Sequence, residues 1–315
     1  MRKIIGIGET VLDILFKDGV PVKAVPGGST FNSMISLGRM GLNVSFISEV
    51  GNDKVGEMIL NALKDSGVDA SSVCSFNDGK SPLSLAFLNS NNDAEYLFYK
   101  DYPNNRLEVE FPQINADDIV VYGSYFVLNP VLRSKTKAFL EYARERGAIL
   151  YYDVNFRKNH ITERVKLGEA IIENLEFADI VRGSTEDFDN LYNLTDAESI
   201  YKQKIKFYCP NFICTQGGGE VSIFNKAGKK NYLPNKVEVV STVGAGDNFN
   251  AGVVYGIISG GIDRETLYSM SQPEWDKVAQ CGLDFSSHAC TMLDNYVSRE
   301  WAEEYKEYKD SKNRS

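Results

Sequence analysis

The sequence predicts an α/β fold, a mainly parallel sheet with helices on both faces and a small β-sheet standing off it as a lid. Two observations carry that prediction. From residue 119 onward, short apolar strands alternate with helical stretches, the rhythm of strand–crossover–strand units. Before them, two hairpin patterns at about 11–26 and 83–101 break the rhythm and group as one separate sheet. The 315 residues read as a single domain, 1–315, long enough to bury a sizeable core.

Residues 3–8 read as a short buried strand. The Gly6-Ile7-Gly8 turn at its end invites a dinucleotide fingerprint, but the third glycine is missing, since position 11 is Val11. Residues 11–25 read as further strand, broken at Lys17-Asp18-Gly19, a hairpin turn signal. Gly27-Gly28-Ser29 opens a helix over 30–40, closed by Gly41. A buried strand over 44–50, the Gly51–Gly56 turn and a helix over 55–65 follow. Residues 84–99 read as two strands joined by the polar turn Asn89-Ser90-Asn91-Asn92-Asp93. Beyond these the reading gives strands at 119–122, 148–152, 179–181, 212–215 and 221–224, with helices over 133–146 and 163–175. The charged tail, 299–315, reads as a surface helix that frays.

Composition narrows the classes. Net charge is -9 and basic residues do not cluster, which argues against a nucleic-acid or anionic-membrane partner. No run of about 18 apolar residues is present, so no membrane span is expected. Five cysteines without a Cys-x-x-Cys, and two histidines, suggest neither a disulfide framework nor a zinc site. The N-terminus runs straight into strand pattern without a cleavage signal, and a cytoplasmic enzyme is expected.

The stretch with the most chemistry is Ser241-Thr242-Val243-Gly244-Ala245-Gly246-Asp247, continuing Asn248-Phe249-Asn250-Ala251-Gly252. It reads as a small-residue turn feeding a helix. Unpaired amides and the positive end of the dipole make such a helix start a ready phosphate site. Asp247 lies in its first turn; alone, it could equally be a cap. The whole string resembles the C-terminal signature of the ribokinase/PfkB-type carbohydrate kinases. The resemblance implies a ribokinase-like, Rossmann-like fold, Asp247 as catalytic base, and an anion hole over Gly244, Ala245, Gly246 and Asp247, with the amides of Ala245, Gly246 and Asp247 meeting the transferred phosphoryl group.

Other motifs resemble the same family across nearly the whole chain. Gly8-Glu9 with Asp13 is similar to its first substrate motif, where a carboxylate accepts from two sugar hydroxyls; read structurally, Asp13 is a strand-edge residue. Gly27-Gly28-Ser29-Thr30-Phe31-Asn32 resembles the N-terminal signature, with Gly27, Gly28 and Asn32 against the sugar, though the family carries a small residue where Phe31 stands. Gly51-x-Asp53-x-x-Gly56 follows at the family's spacing and reads as structural. On the second lid hairpin, Tyr96-Leu97-Phe98-Tyr99-Lys100 resembles a segment of fructokinase-like members, and alternation puts Phe98 and Lys100 on one face, where they could close over a sugar or simply pack. Asp153-Val154-Asn155-Phe156-Arg157 resembles the Asp-x-Asn-x-Arg motif of fructokinase and 2-keto-3-deoxygluconate kinase relatives. Arg157 would present a planar fork to a sugar oxygen, carboxylate or phosphate; an internal Asp153–Arg157 ion pair is the structural alternative.

On the nucleotide side, Ser184 and Asp187 occupy the place of the family's Asn-x-x-Glu, which organises magnesium through water. Aspartate replaces glutamate there, and an N-capping serine is the other reading. Thr215, Gly217 and Gly219 resemble the turn that contacts nucleotide phosphates, and Ala279-Gln280-Cys281-Gly282 would line the adenine pocket. The family often has an aspartate where Ser241 stands, helping to hold a monovalent cation, and 286–290 lacks the usual glycine-containing cation loop, so the sequence supports no claim for potassium. The resemblance therefore implies an ATP- and Mg2+-dependent kinase acting on a small sugar, fructose or 2-keto-3-deoxygluconate-like, and a homodimer formed through the lid. A nucleoside (adenosine-type) kinase and a non-catalytic sugar or nucleotide sensor on the same fold are the alternatives.

Overall fold

A computed structural model describes residues 2–88 and 94–313. The chain opens with β1 (Lys3–Ile7), β2 (Val11–Lys17), β3 (Val20–Gly27), α1 (Ser29–Arg39), β4 (Asn43–Gly51) and α2 (Lys54–Asp65). Next come β5 (Val68–Asp69), β6 (Val73–Phe76), β7 (Lys80–Leu88), β8 (Ala94–Asp101), β9 (Ile119–Gly123), α3 (Ser124–Leu128), α4 (Arg133–Glu145) and β10 (Ile149–Asp153). The second half runs α5 (Gly168–Phe177), β11 (Ile180–Ser184), α6 (Thr185–Tyr192), α7 (Ala197–Ile200), β12 (Phe212–Thr215), β13 (Val221–Asn225) and β14 (Gly228–Tyr232). It ends with α8 (Ala245–Ser259), α9 (Arg264–Leu267), α10 (Gln272–Ala289) and α11 (Arg299–Asn313).

The main sheet has the order β14-β13-β12-β11-β10-β9-β1-β4-β5, with β6 also on β4. It is parallel from β12 to β5; β13 alone is reversed, pairing antiparallel with both β12 and β14. Its strands are apolar at successive positions because both faces are covered. Ile4, Val121, Tyr151, Ile180 and Ile213 feed one core, beneath α1, α8 and α10. Their neighbours Ile5, Val120, Tyr152, Val181 and Phe212 feed the other, beneath α4 and α5. The alternating direction of side chains along a strand thus builds two cores from one sheet.

The second sheet, β3-β2-β7-β8, is the expected lid. β2 and β7 pair in parallel, Asp13 opposite Ser84, and each carries its own hairpin partner antiparallel. The expected turn at Asn89–Asp93 lies outside the described residues. Two expectations change. The helix read over 163–175 starts only at Gly168, because Lys158–Glu163 form a tighter 3-10 turn first. The tail is more than a surface helix: Ala302 and Tyr305 of α11 are buried, and Trp301 stacks between His288 and Tyr305.

Candidate active site

The expected site residues gather beyond the carboxyl ends of β1, β10, β11 and β12, where ligands of open α/β sheets sit, with Tyr96 of the lid facing Asp13 and Asp247. α8 is preceded by its N-cap Gly244, whose φ of +77° is left-handed, and a Cβ there would collide with the Asn295 carbonyl oxygen. No other residue fits that backbone without strain. The Asn248 side chain donates to the carbonyls of both Gly244 and Asn295, each at 2.8 Å, fixing the turn from behind. One expected member of the anion hole is already engaged: the Ala245 amide donates to the Thr242 carbonyl at 3.2 Å. The amides of Gly246 and Asp247 have no partner among the described residues, and they form the open donor pair.

Asp247 is 8% exposed and accepts from Asn32 Nδ2 at 2.8 Å. Burial pushes its carboxyl up to about 7, reinforced by Asp153 and opposed by the Asn32 hydrogen bond, Arg157 and Arg182. Asn32, on buried α1, keeps its Oδ1 without a partner. Asp13, on β2, is also buried, and burial raises it to about 6 against a 2.7 Å hydrogen bond from Asn295 Nδ2. Gly27 crosses directly beside it; a Cβ there would fall 2.2 Å from Asp13 Oδ2. Gly28 is the N-cap of α1, pressed on the Glu9 carbonyl. Asp13, Gly27, Gly28, Asn32 and Asp247 therefore share one wall, as expected.

The Asp153–Arg157 reading needs correction. Asp153 pairs with Arg182 of the neighbouring strand, Oδ1 to Nη1 at 2.9 Å, and not with Arg157. Its Oδ1 is engaged by that pair, and the residue is 3% exposed. Asn155 adopts a positive φ of 37°, which turns the chain so that Phe156 enters the core and Arg157 emerges exposed. The Arg157 guanidinium faces the charges of Asp187 and Asp247 and forms no ion pair among the described residues. On the lid, Tyr96 and Phe98 stack on one face as the alternation predicts. Lys100 lies 5.0 Å over the Phe98 ring, but its ammonium is held by both carboxylate oxygens of Glu9, at 2.7 and 2.8 Å. Its charge is therefore neutralised in place.

Ser184 is also corrected. It and Asp187 form a capping box for α6: Ser184 Oγ accepts from the Asp187 amide, and Asp187 Oδ2 accepts from the Ser184 amide and hydroxyl. The hydroxyl proton is used internally, so Ser184 has none to offer a phosphate. Among the described residues, no group of three or more His, Cys, Asp or Glu side chains is arranged to hold a metal. Asp187 keeps Oδ1 free of the cap and sits beside the cleft, which fits a magnesium ion held mainly by phosphate and water rather than a protein cage.

Thr215 is buried and accepts from Arg182 Nη2 at 2.7 Å, while Gly217 and Gly219 form an exposed turn. Cys281 is 4% exposed, its Cβ 3.5 Å from where a Gly256 Cβ would lie and its thiol beside Tyr305 and Lys309 of α11. It does not line an open wall. Gln280 and Asp284 of the same helix do, facing a cavity of about 590 Å³ beside Asn235 and Val237. Where the family would hold a cation, the amides of Val240 and Ser241 converge on the Cys290 carbonyl.

The match to the family model, pfkB family carbohydrate kinase, spans residues 1–268. The chain belongs to the pfkB family. It is a carbohydrate kinase, an ATP-dependent phosphotransferase acting on a sugar. It is 28% identical over 267 residues to a probable chloroplastic fructokinase-6 of Arabidopsis thaliana, covering 80% of this chain and 69% of that protein. It is 29% identical over 283 residues to a 5-dehydro-2-deoxygluconokinase of Geobacillus thermodenitrificans, covering 84% and 80%. The fold is shared with a fructokinase double mutant of Vibrio cholerae O395 solved with fructose, ADP and potassium, at TM-score 0.82, 20% identity and 95% coverage of both chains. It is also shared with aminoimidazole riboside kinase of Salmonella enterica, at TM-score 0.78, 20% identity, and 94% and 96% coverage.

Two groups at the site escaped the sequence reading. Arg182 and Asn295 are ordinary residues in ordinary contexts, and only strand register and the return of the chain after α10 bring them to the cleft.

Proposed function

We propose that this kinase transfers the γ-phosphoryl group of ATP to a primary hydroxyl of a fructose-like or 2-keto-3-deoxygluconate-like sugar, with Asp247 as general base. The observation that carries the reading is the buried Asp247 carboxyl, tuned to about 7, at the amide-bearing start of α8. A base with that affinity is half ready near neutral pH, where proton transfer is most effective. Asp13 and Asn32 hold the sugar hydroxyls, and the exposed, unpaired Arg157 offers its fork to a carboxylate or sugar oxygen. As the hydroxyl proton passes to Asp247, the oxygen attacks phosphorus and the bond to the β-phosphate breaks. The Gly246 and Asp247 amides, backed by the helix dipole, meet the charge that develops. Thr215 and the Gly217–Gly219 turn approach the nucleotide phosphates, and Gln280 rather than Cys281 is the α10 residue open to the base. Asp187 would help to hold a magnesium ion, which would supply charge neutralisation of the phosphates.

ATP consumption measured across fructose, 2-keto-3-deoxygluconate, 5-dehydro-2-deoxygluconate, adenosine and aminoimidazole riboside tests the substrate class. Activity confined to the nucleosides would reverse the choice. Asp247→Asn should bind ATP almost normally and turn over at least about a hundredfold more slowly, the scale of a lost positioned base. We also propose a homodimer through the lid. The face of the lid sheet turned from the cleft exposes Phe87, Leu97 and Tyr99, the last two more than half. Analytical ultracentrifugation should show a dimer that Leu97→Lys dissociates; monomer alone at high protein concentration would count against it.

A further inference from the structure

The buried cation beneath the anion hole has no part in the reading above. Arg182 is 7% exposed and crosses the carboxyl ends of three adjacent strands. Its Nη1 donates to Asp153 on β10 and its Nη2 to Thr215 Oγ1 on β12, at 2.9 and 2.7 Å. Overhead it touches the phosphate-facing turn: a Cβ on Gly246 would lie 2.8 Å from Nη2 and 3.2 Å from Nη1. The buried Nε has no partner. One carboxylate and one hydroxyl leave much of the five-donor fork unpaired, an unusual investment of positive charge in a dry site.

We infer that Arg182 is a positioning residue for phosphoryl transfer, holding Thr215 and the Gly246 turn in register and keeping a fixed positive charge under the transferring phosphoryl group. This rests on the kinase reading of the same cleft. The step itself moves one proton, from the sugar hydroxyl to Asp247, forms the sugar O–P bond and breaks the bond to the β-phosphate. Arg182 stays protonated throughout and exchanges nothing. Its charge acts on two groups. It stabilises negative charge accumulating at the Gly246 and Asp247 amides. It also opposes protonation of Asp247, alongside Arg157 and the Asn32 hydrogen bond and against Asp153; Tyr96 of the lid faces the same carboxylate and is neutral.

The test compares Arg182→Lys with Arg182→Met. Calorimetry measures ADP binding with and without aluminium fluoride in the presence of magnesium, and kinetics give kcat and kcat/KM against pH. The Met variant should bind ADP within about threefold of the wild type but lose at least about tenfold of the tightening that aluminium fluoride brings. Its kcat should fall roughly 10²–10³-fold, and the acid limb of its pH profile should move to higher pH. The Lys variant should recover the acid limb and much of the kcat. If Arg182→Met does not fold, the double variant Asp153→Asn/Arg182→Met, which removes the orphaned carboxylate, takes its place. A folded Met variant with wild-type aluminium fluoride tightening and an unmoved acid limb overturns the inference, as does a Lys variant no better than Met. A wild type silent toward every sugar would sink the kinase reading instead, while the aluminium fluoride comparison would still report on Arg182 alone.

Discussion

Asp247 is tuned at the expense of the fold, and the cost is measurable. Its carboxyl rises from 3.8 to about 7 in the native state. A raised acid favours its neutral form on folding, so native stability is greatest below the unfolded value and declines as pH climbs toward the folded one. Each unit corresponds to about 1.4 kcal/mol, so the shift costs about 4 kcal/mol at pH 8 but only about 2 kcal/mol at pH 5. Asp247→Asn removes the titration and leaves the other groups in place. Relative to wild type, the variant should gain about 2–3 kcal/mol more at pH 8 than at pH 5. Urea denaturation of both proteins at the two pH values, with midpoints and slopes compared, measures that difference. A stability gap that does not change between pH 5 and 8 would refute the claim that burial sets this pKa, and with it the argument for a base poised near neutrality.

Two further outcomes follow from the scaffold. Gly244→Ala places a Cβ against the Asn295 carbonyl and forces a left-handed φ, so melting should drop and kcat should fall far more than ATP affinity. Wild-type kcat in that variant would mean the turn does not need its observed shape. Glu49, buried with Arg106, also accepts from the Leu107 amide at 2.7 Å, and Arg106 lies 3.5 Å over the Tyr102 ring. Arg106→Met should destabilise the protein by about 3–5 kcal/mol through the stranded carboxylate, and Glu49→Gln in the same background should return part of it in chemical denaturation.

Local chemistry made much of this legible. Glycines in special conformations announced α1 and α8, and apolar runs announced the central strands, because backbone and burial constraints write themselves into adjacent residues. Asp13, Asn32 and Asp247 stand in such strings, and the fold brings them to one place. Partnerships across the sheet were not. Asp153 has an arginine four residues on, and proximity in sequence suggested that pair; strand register instead sets Arg182 directly opposite it. Ser184 and Asp187, at capping-box spacing, carried a structural signal as strong as the metal one. The start of α10 carries the same kind of signal, Ser271 with Pro273 and Glu274. Cys281 was misplaced because a small residue on a helix says nothing of which side it faces.

The lid sheet is closed in its middle by strands from distant parts of the chain, residues 11–17 alongside 80–88. Neither hairpin can complete it alone. On a ribosome, the first must wait, with one edge bare, until α1, β4 and α2 have been made and the second arrives. During that interval the exposed strand edge offers a natural docking place for a chaperone, or for another unfinished copy.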